Sequence, residues 1–127
     1  MRALVIDDSR AMRRIVTGIL TDLGYEVRDA GHGREGLDVL DEGWVPDLAT
    51  IDWNMPVMDG LQFVFAVRAN PAYRQVTLMM VTTESETGQI VKALAAGAHE
   101  YLIKPFTADA LRDKLALLGL LPEEVVL

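Results

Sequence analysis

The chain has 127 residues, half of them hydrophobic and 24% charged, so it is expected to close one apolar core as a single domain over residues 1–127, without an output domain. Its net charge of −7 disfavours nucleic acid and anionic membrane surfaces and suits metal ions and basic partners. The absence of cysteine excludes disulfides, thiolate catalysis and zinc–thiolate sites together.

Residues 3–6 are purely apolar and read as a strand, and the turn to acid at Asp7 comes too early for a signal peptide. Met12, Ile15, Val16, Ile19, Leu20 and Leu23 then repeat at the spacing of one helix face, with Ser9 placed to cap the start and Gly24 to end it. Residues 25–29 alternate apolar with polar, as an edge strand does, and a second helical stretch stops at Gly43. Residues 48–51 form the next apolar strand, followed by a helix over 61–68 that is apolar around most of its circumference. In that helix Phe63, Val64 and Val67 can share a buried face, which leaves Phe65 outside it. Its ring is expected to lie flat over a neighbouring side chain, the sharper reading being a partner contact. Residues 77–81 and 99–103 supply two more strands, the second with polar residues in it, each followed by a helix that stops at Gly97 and Gly119. The tail over 119–127 either packs on the body or frays. No apolar run approaches the roughly 18 residues that a membrane span needs, so a cytoplasmic location is expected.

Strands alternating with helices give an α/β fold with a parallel five-stranded sheet. The first, third and fourth strands are the most apolar and belong inside; the second and fifth belong at the edges. The order 2-1-3-4-5 of flavodoxin-like, doubly wound folds satisfies this. In such sheets the ligand site lies beyond the carboxyl ends of the strands. The first strand ends in Asp7-Asp8, the third in Asp52, the fourth in Thr82 and the fifth in Lys104-Pro105. Each alone has an ordinary structural role, as a helix cap, turn residue or strand former. Their meeting at one end of the sheet is what marks a shared site. Three acids so close raise at least one pKa unless a cation neutralises them. With no cysteine and no clustered histidine the ligands are oxygens, which favours magnesium, with manganese or calcium next.

These residues and their surroundings resemble the receiver domains of response regulators, the CheY-like family, over about residues 3–118. The carrying motifs are Asp7-Asp8, Asp52-Trp53-Asn54-Met55-Pro56-Val57-Met58-Asp59-Gly60, Met80-Val81-Thr82 and Tyr101-Leu102-Ile103-Lys104-Pro105-Phe106. The run from Met12 to Val16, and Trp53 and Asn54 after Asp52, resemble the stand-alone chemotaxis regulators in particular.

The resemblance implies a two-component signalling role in which Asp52 accepts a phosphoryl group from a sensor histidine kinase. Asp7, Asp8, Asp52 and the carbonyl of Asn54 would hold Mg2+, with Mn2+ as a substitute. Lys104 would meet a phosphoryl oxygen, Thr82 would donate a hydroxyl, and Pro105 would be cis. A switch through Thr82 and Tyr101 would alter a target surface that includes Ile90, Leu94, Tyr101 and Lys114, although Ile90 and Leu94 fit the helix's core stripe equally well. Asn54 and Glu84 would tune hydrolysis of the acyl phosphate. The implied partners are the kinase, a flagellar motor-switch protein and a phosphatase. The chain would be a monomer, and no enzyme beyond self-catalysed phosphotransfer and autodephosphorylation. Thr83 and Ser9 depart from the common pattern beside the site.

Other readings remain: a stand-alone receiver that drains phosphoryl groups or serves another pathway, and a magnesium-dependent phosphohydrolase. The last typically carries Asp-x-Asp after the first strand, whereas here Asp7 and Asp8 are adjacent. Gly31-His32-Gly33 is no phosphate loop, since it follows an edge strand and lacks a third glycine. His32 and His99 read as surface residues, and Ser85 as a helix cap.

Overall fold

Five runs of apolar residues pair into one parallel sheet in the computed structural model, which describes residues 1–83 and 87–122. The strands are β1 (Arg2–Ile6), β2 (Glu26–Ala30), β3 (Leu48–Asp52), β4 (Thr77–Thr83) and β5 (Glu100–Lys104). Between and after them run α1 (Arg10–Asp22), α2 (Gly33–Asp41), α3 (Gly60–Ala69), α4 (Thr87–Ala96) and α5 (Ala108–Leu117). The strand order is β2-β1-β3-β4-β5, as the polarity of the strands predicts. All of β3 is buried, while β2 and β5 at the edges are largely not.

Alternation along the strands divides the core in two. Ala3, Val5, Leu48 and Met79 face α1 and α5, where Val16, Leu20, Leu111 and Leu115 close over them. Leu4, Ile6, Ile51, Leu78 and Met80 face α2, α3 and α4, against Leu37, Leu40, Phe63, Val64 and Ala93. Ser9 caps α1, its hydroxyl accepting from the Met12 amide at 3.2 Å. Gly24, Gly43, Gly97 and Gly119 all take positive φ, as expected for helix stops.

Ile15 differs from the sequence expectation, being 54% exposed. The fully buried residues of α1 are Val16 and Leu20, and at 3.6 residues per turn Ile15 points about 120° away from the middle of that pair. The apolar stripe is wider than the strip the sheet covers. Phe65 is 56% exposed, outside the buried face formed by Phe63, Val64 and Val67, as the spacing predicts.

The tail packs as far as it is described. Leu120 and Leu121 join the core under α1 and α5, and the Tyr25 hydroxyl donates to the Leu120 carbonyl. Residues 123–127 lie outside the described residues. Among the described residues no helix is long and apolar enough to cross a membrane.

The amino-terminal ends of β4 and β5 are fastened by one side chain. Arg68, at the end of α3, donates to the carbonyls of Val76 at 2.7 Å, Gly97 at 2.9 Å, Arg74 at 3.3 Å and Tyr73 at 3.4 Å. His99 is exposed, as expected, yet it is engaged: its Nδ1 lies 3.3 Å from Arg68 and accepts from the Leu78 amide at 3.2 Å. Removing the guanidinium strands several partly buried carbonyls. Arg68→Ala is therefore expected to cost about 2–4 kcal/mol, seen as a lower midpoint in urea unfolding.

Candidate functional site

Parallel pairing brings the carboxyl ends of the strands to one edge, and the register decides which residues meet there. Ile6 pairs with Ile51, so Asp7 emerges beside Asp52; Asp52 pairs with Val81, and Thr82 with Ile103. Asp7, Asp8 and Asp52 each offer a carboxylate oxygen within 4.8 Å of the others. Asp7 and Asp52 are buried, at 3% and 8% exposure, and Asp8 is exposed. The Lys104 ammonium reaches between the two buried acids, 3.0 Å from Asp7 Oδ2 and 3.2 Å from Asp52 Oδ1. The second Asp7 oxygen accepts from the Ser9 amide at 2.8 Å, and Arg13 donates to the Asp7 carbonyl at 2.7 Å.

The loop after Asp52 is held at several points. Asp59 caps α3 in a reciprocal box with Gln62, and the Gly33 amide donates to the Met58 carbonyl at 3.1 Å. Gly60 passes so near the strand end that a Cβ there would lie 2.5 Å from the Asp52 carbonyl oxygen. Within the loop Val57 has φ 68°, a left-handed conformation costly for a β-branched residue, with its side chain 77% exposed. Nothing in the sequence pattern marked Val57, whose residue type argues against that backbone.

Burial, then the charge of Asp7, pushes the Asp52 carboxyl up to about 6, with Lys104 pulling it down and Asp8 adding to the rise. For Lys104, burial pulls downward, but the hydrogen bond to Asp7 and the charges of both acids outweigh it and raise its pKa. Crowded acids thus raise a pKa, as the sequence suggested, and a tethered ammonium offsets part of their charge. The donor set is all carboxylate oxygen, which fits a hard divalent cation such as magnesium.

The remaining predicted positions sort by place. Thr82 is buried beside the acids, Asn54 is exposed in the loop, and the Lys104–Pro105 bond is cis. Glu84, like Ser85, lies outside the described residues. Tyr101 is half-buried, with the Lys114 ammonium 4.6 Å from its ring centre and 2.9 Å from Glu100 Oε1. Of the two α4 residues, Leu94 is exposed, whereas Ile90 lies in the core stripe at 8% exposure.

The family model of the response regulator receiver domain matches residues 3–116. The chain belongs to that receiver family. Chemotaxis protein CheY1 of Helicobacter pylori is 43% identical over 116 residues, spanning 91% of this receiver and 94% of that protein. The CheY homologue of Campylobacter jejuni is 44% identical over the same length, 91% and 89% of the two chains. The structure of the chemotaxis response regulator CheY4 of Vibrio cholerae matches with a TM-score of 0.83 and 38% identity, over 91% of this receiver and 96% of that chain. The receiver is CheY-like in sequence and in fold.

Asp52 carries its proton to about pH 6 in the folded receiver and only to its ordinary 3.8 in the unfolded chain. Between about 4 and about 6 the folded state binds more protons, so stability falls as pH rises through that window. Asp52→Asn removes the penalty. Without divalent cations the variant is expected to be more stable at pH 7 by on the order of 1 kcal/mol, with a flatter pH dependence across the window. Urea unfolding over a pH series measures both, and a variant less stable than the parent at pH 7 contradicts the assignment.

Proposed function

We propose that this receiver is a phosphorylation switch of a two-component pathway whose output is chemotaxis, through a target protein such as the flagellar motor switch. The observation that carries the reading is the buried Asp52 carboxylate flanked by Asp7, Asp8 and Lys104. The chemotaxis names of its Helicobacter and Campylobacter relatives support the choice of output.

Above about pH 6 Asp52 is ionised and nucleophilic. Its oxygen attacks the phosphorus of a phosphohistidine on the kinase. The O–P bond forms as the P–N bond breaks, and the departing imidazole takes up a proton. Magnesium, held by Asp7, Asp8, Asp52 and the Asn54 carbonyl, would offset the charge gathered on the transferring group. Once Asp52 is phosphorylated its carboxylate charge is gone and negative charge sits on the phosphoryl oxygens, so Lys104 turns from the carboxylate to a phosphoryl oxygen. The Thr82 hydroxyl donates to another. Asn54 and Glu84 tune how fast water removes the group.

Thr82 and Tyr101 lie on neighbouring strands, two register positions apart. Movement of Thr82 toward the phosphoryl group vacates space for the half-buried Tyr101 ring, a shift between two packings. The ring lies beside Lys114, and with Leu94 and Ile90 of α4 these residues form the target surface, so the ring's position alters what that surface binds.

Trp53 adjoins Asp52 and is buried, and it reports on the site. The other tryptophan, Trp44, lies 5.4 Å and 4.9 Å from the Arg2 and Arg28 guanidinium groups, so a Trp44→Phe background isolates the signal. Addition of magnesium and then beryllofluoride or acetyl phosphate is expected to change Trp53 emission in two steps, and Asp52→Asn to abolish the second. A second step that survives the substitution removes Asp52 from the role. The phosphorylated form is expected to bind a motor-switch peptide on the order of tenfold more tightly than the unphosphorylated form. No gain excludes the motor output and leaves the phosphorylation chemistry standing.

A further inference from the structure

The charges of this receiver are distributed unevenly over its helices. α1 carries Asp22, α2 carries Glu35, Asp38 and Asp41, and α5 carries Asp109 and Asp113. The twenty residues of α3 and α4, ten in each helix, contain no acid at all in a chain with 19. Their only charges are Arg68, committed to the carbonyls at the far end of the sheet, and Lys92, which makes no ion pair among the described residues.

Along this acid-free face, α3 and α4 leave a groove of about 330 Å³ between them, lined by Leu61, Phe65, Lys92, Ala95 and Ala96. The Phe65 ring forms one rim and stands 56% exposed. The face thus holds a projecting aromatic ring and, beside it, an apolar recess larger than that ring with a cation at its edge. A surface that carries both a knob and the matching hole is complementary to itself under a two-fold axis. Of the other exposed large apolar side chains among the described residues, Met1, Ile15, Val45, Val57, Val91, Leu94 and Leu117, none lines this groove. A second groove, between α1 and α5, is lined by Asp22 and Asp109 and has no aromatic rim.

We propose that the α3–α4 face is an interface between two copies of this receiver, in which the Phe65 ring of each copy seats in the groove of the other under the Lys92 ammonium. The contact satisfies both features left over by the monomer: the ring loses its exposure to water, and the lysine gains an aromatic face. Two copies of an acidic chain repel, and α3 and α4 contribute no carboxylate of their own to a contact between them. Helices of ten residues are about 15 Å long, which limits the contact to the low end of specific interfaces. Association is accordingly weak, with a dissociation constant of about 0.1 mM. This goes against the monomer expected from the sequence.

Sedimentation velocity of the unphosphorylated protein over about 10 μM to 1 mM tests the proposal. The weight-average mass is expected to rise from 14.0 kDa toward twice that value. Phe65→Glu is expected to stay monomeric throughout, Phe65→Ala and Lys92→Glu to weaken association about tenfold or more, and Ile15→Glu to leave it unchanged. Circular dichroism melts confirm that each exposed substitution keeps the fold. A wild type that remains at 14.0 kDa at the highest concentration overturns the proposal, and means that the groove takes another partner or none. A Phe65→Glu variant that associates like the wild type overturns it equally. Asp52→Asn is expected to associate as the wild type does, so failure here and failure of the phosphorylation switch are distinguished.

Discussion

Placing Asp52 inside the fold, 8% exposed and beside two further carboxylates, is the constraint around which the carboxyl edge is organised. A buried acid in such company is unfavourable when ionised, and its raised pKa expresses that. The fold moderates the cost from within, by sending the Lys104 side chain across the sheet edge from β5 to meet β1 and β3. Ser9 and Arg13 then hold Asp7 from the α1 side, and the close passage of Gly60 holds the Asp52 backbone. The holds of Ser9, Arg13 and Gly60 act within their own strand–helix units, whereas Lys104 joins the fifth unit to the first and third. The meeting of the two buried acids with the ammonium therefore exists only when those three units are assembled.

Much of this was legible beforehand because the information is carried by strand ends. An apolar run that stops at an acid, a hydroxyl or an ammonium announces both the strand and what leaves it, and the parallel topology does the rest. That is why the spacing alone brings Asp7, Asp8, Asp52, Thr82 and Lys104 to one edge, and why Gly24, Gly43, Gly97 and Gly119 mark helix stops where positive φ follows. Where reading failed, geometry between distant elements decided. Ile15 belongs to the apolar stripe of α1 by spacing, but the width of the covered strip is set by the sheet below it. Arg68 reads as an ordinary basic residue at a helix end, since carbonyl oxygens that await a donor leave no trace in the side-chain pattern. Val57 adopts a backbone its residue type disfavours because the loop is pinned on both sides of it.

α3 shows the same division within one element. Its inward face, Phe63, Val64 and Val67, followed from spacing, whereas the exposure of Phe65 depends on how α4 lies beside it. The apolar circumference was visible in the sequence; the groove, and the complementarity of ring and recess, are properties of two helices that meet only in the folded chain.

The Arg68 clasp bears on how the molecule divides its rigidity. It ties α3 to the segments that lead into β4 and β5, at the opposite end of the sheet from the crowded carboxylates. Cohesion is thus concentrated at one pole and electrostatic tension at the other, with the length of the strands between them. Side chains at the tense pole can rearrange, or exchange one cation for another, while the anchored pole keeps the strands in register. Such a molecule can tolerate variation in its reactive residues without losing its shape, and can acquire stabilising changes around the anchor without stiffening its chemistry.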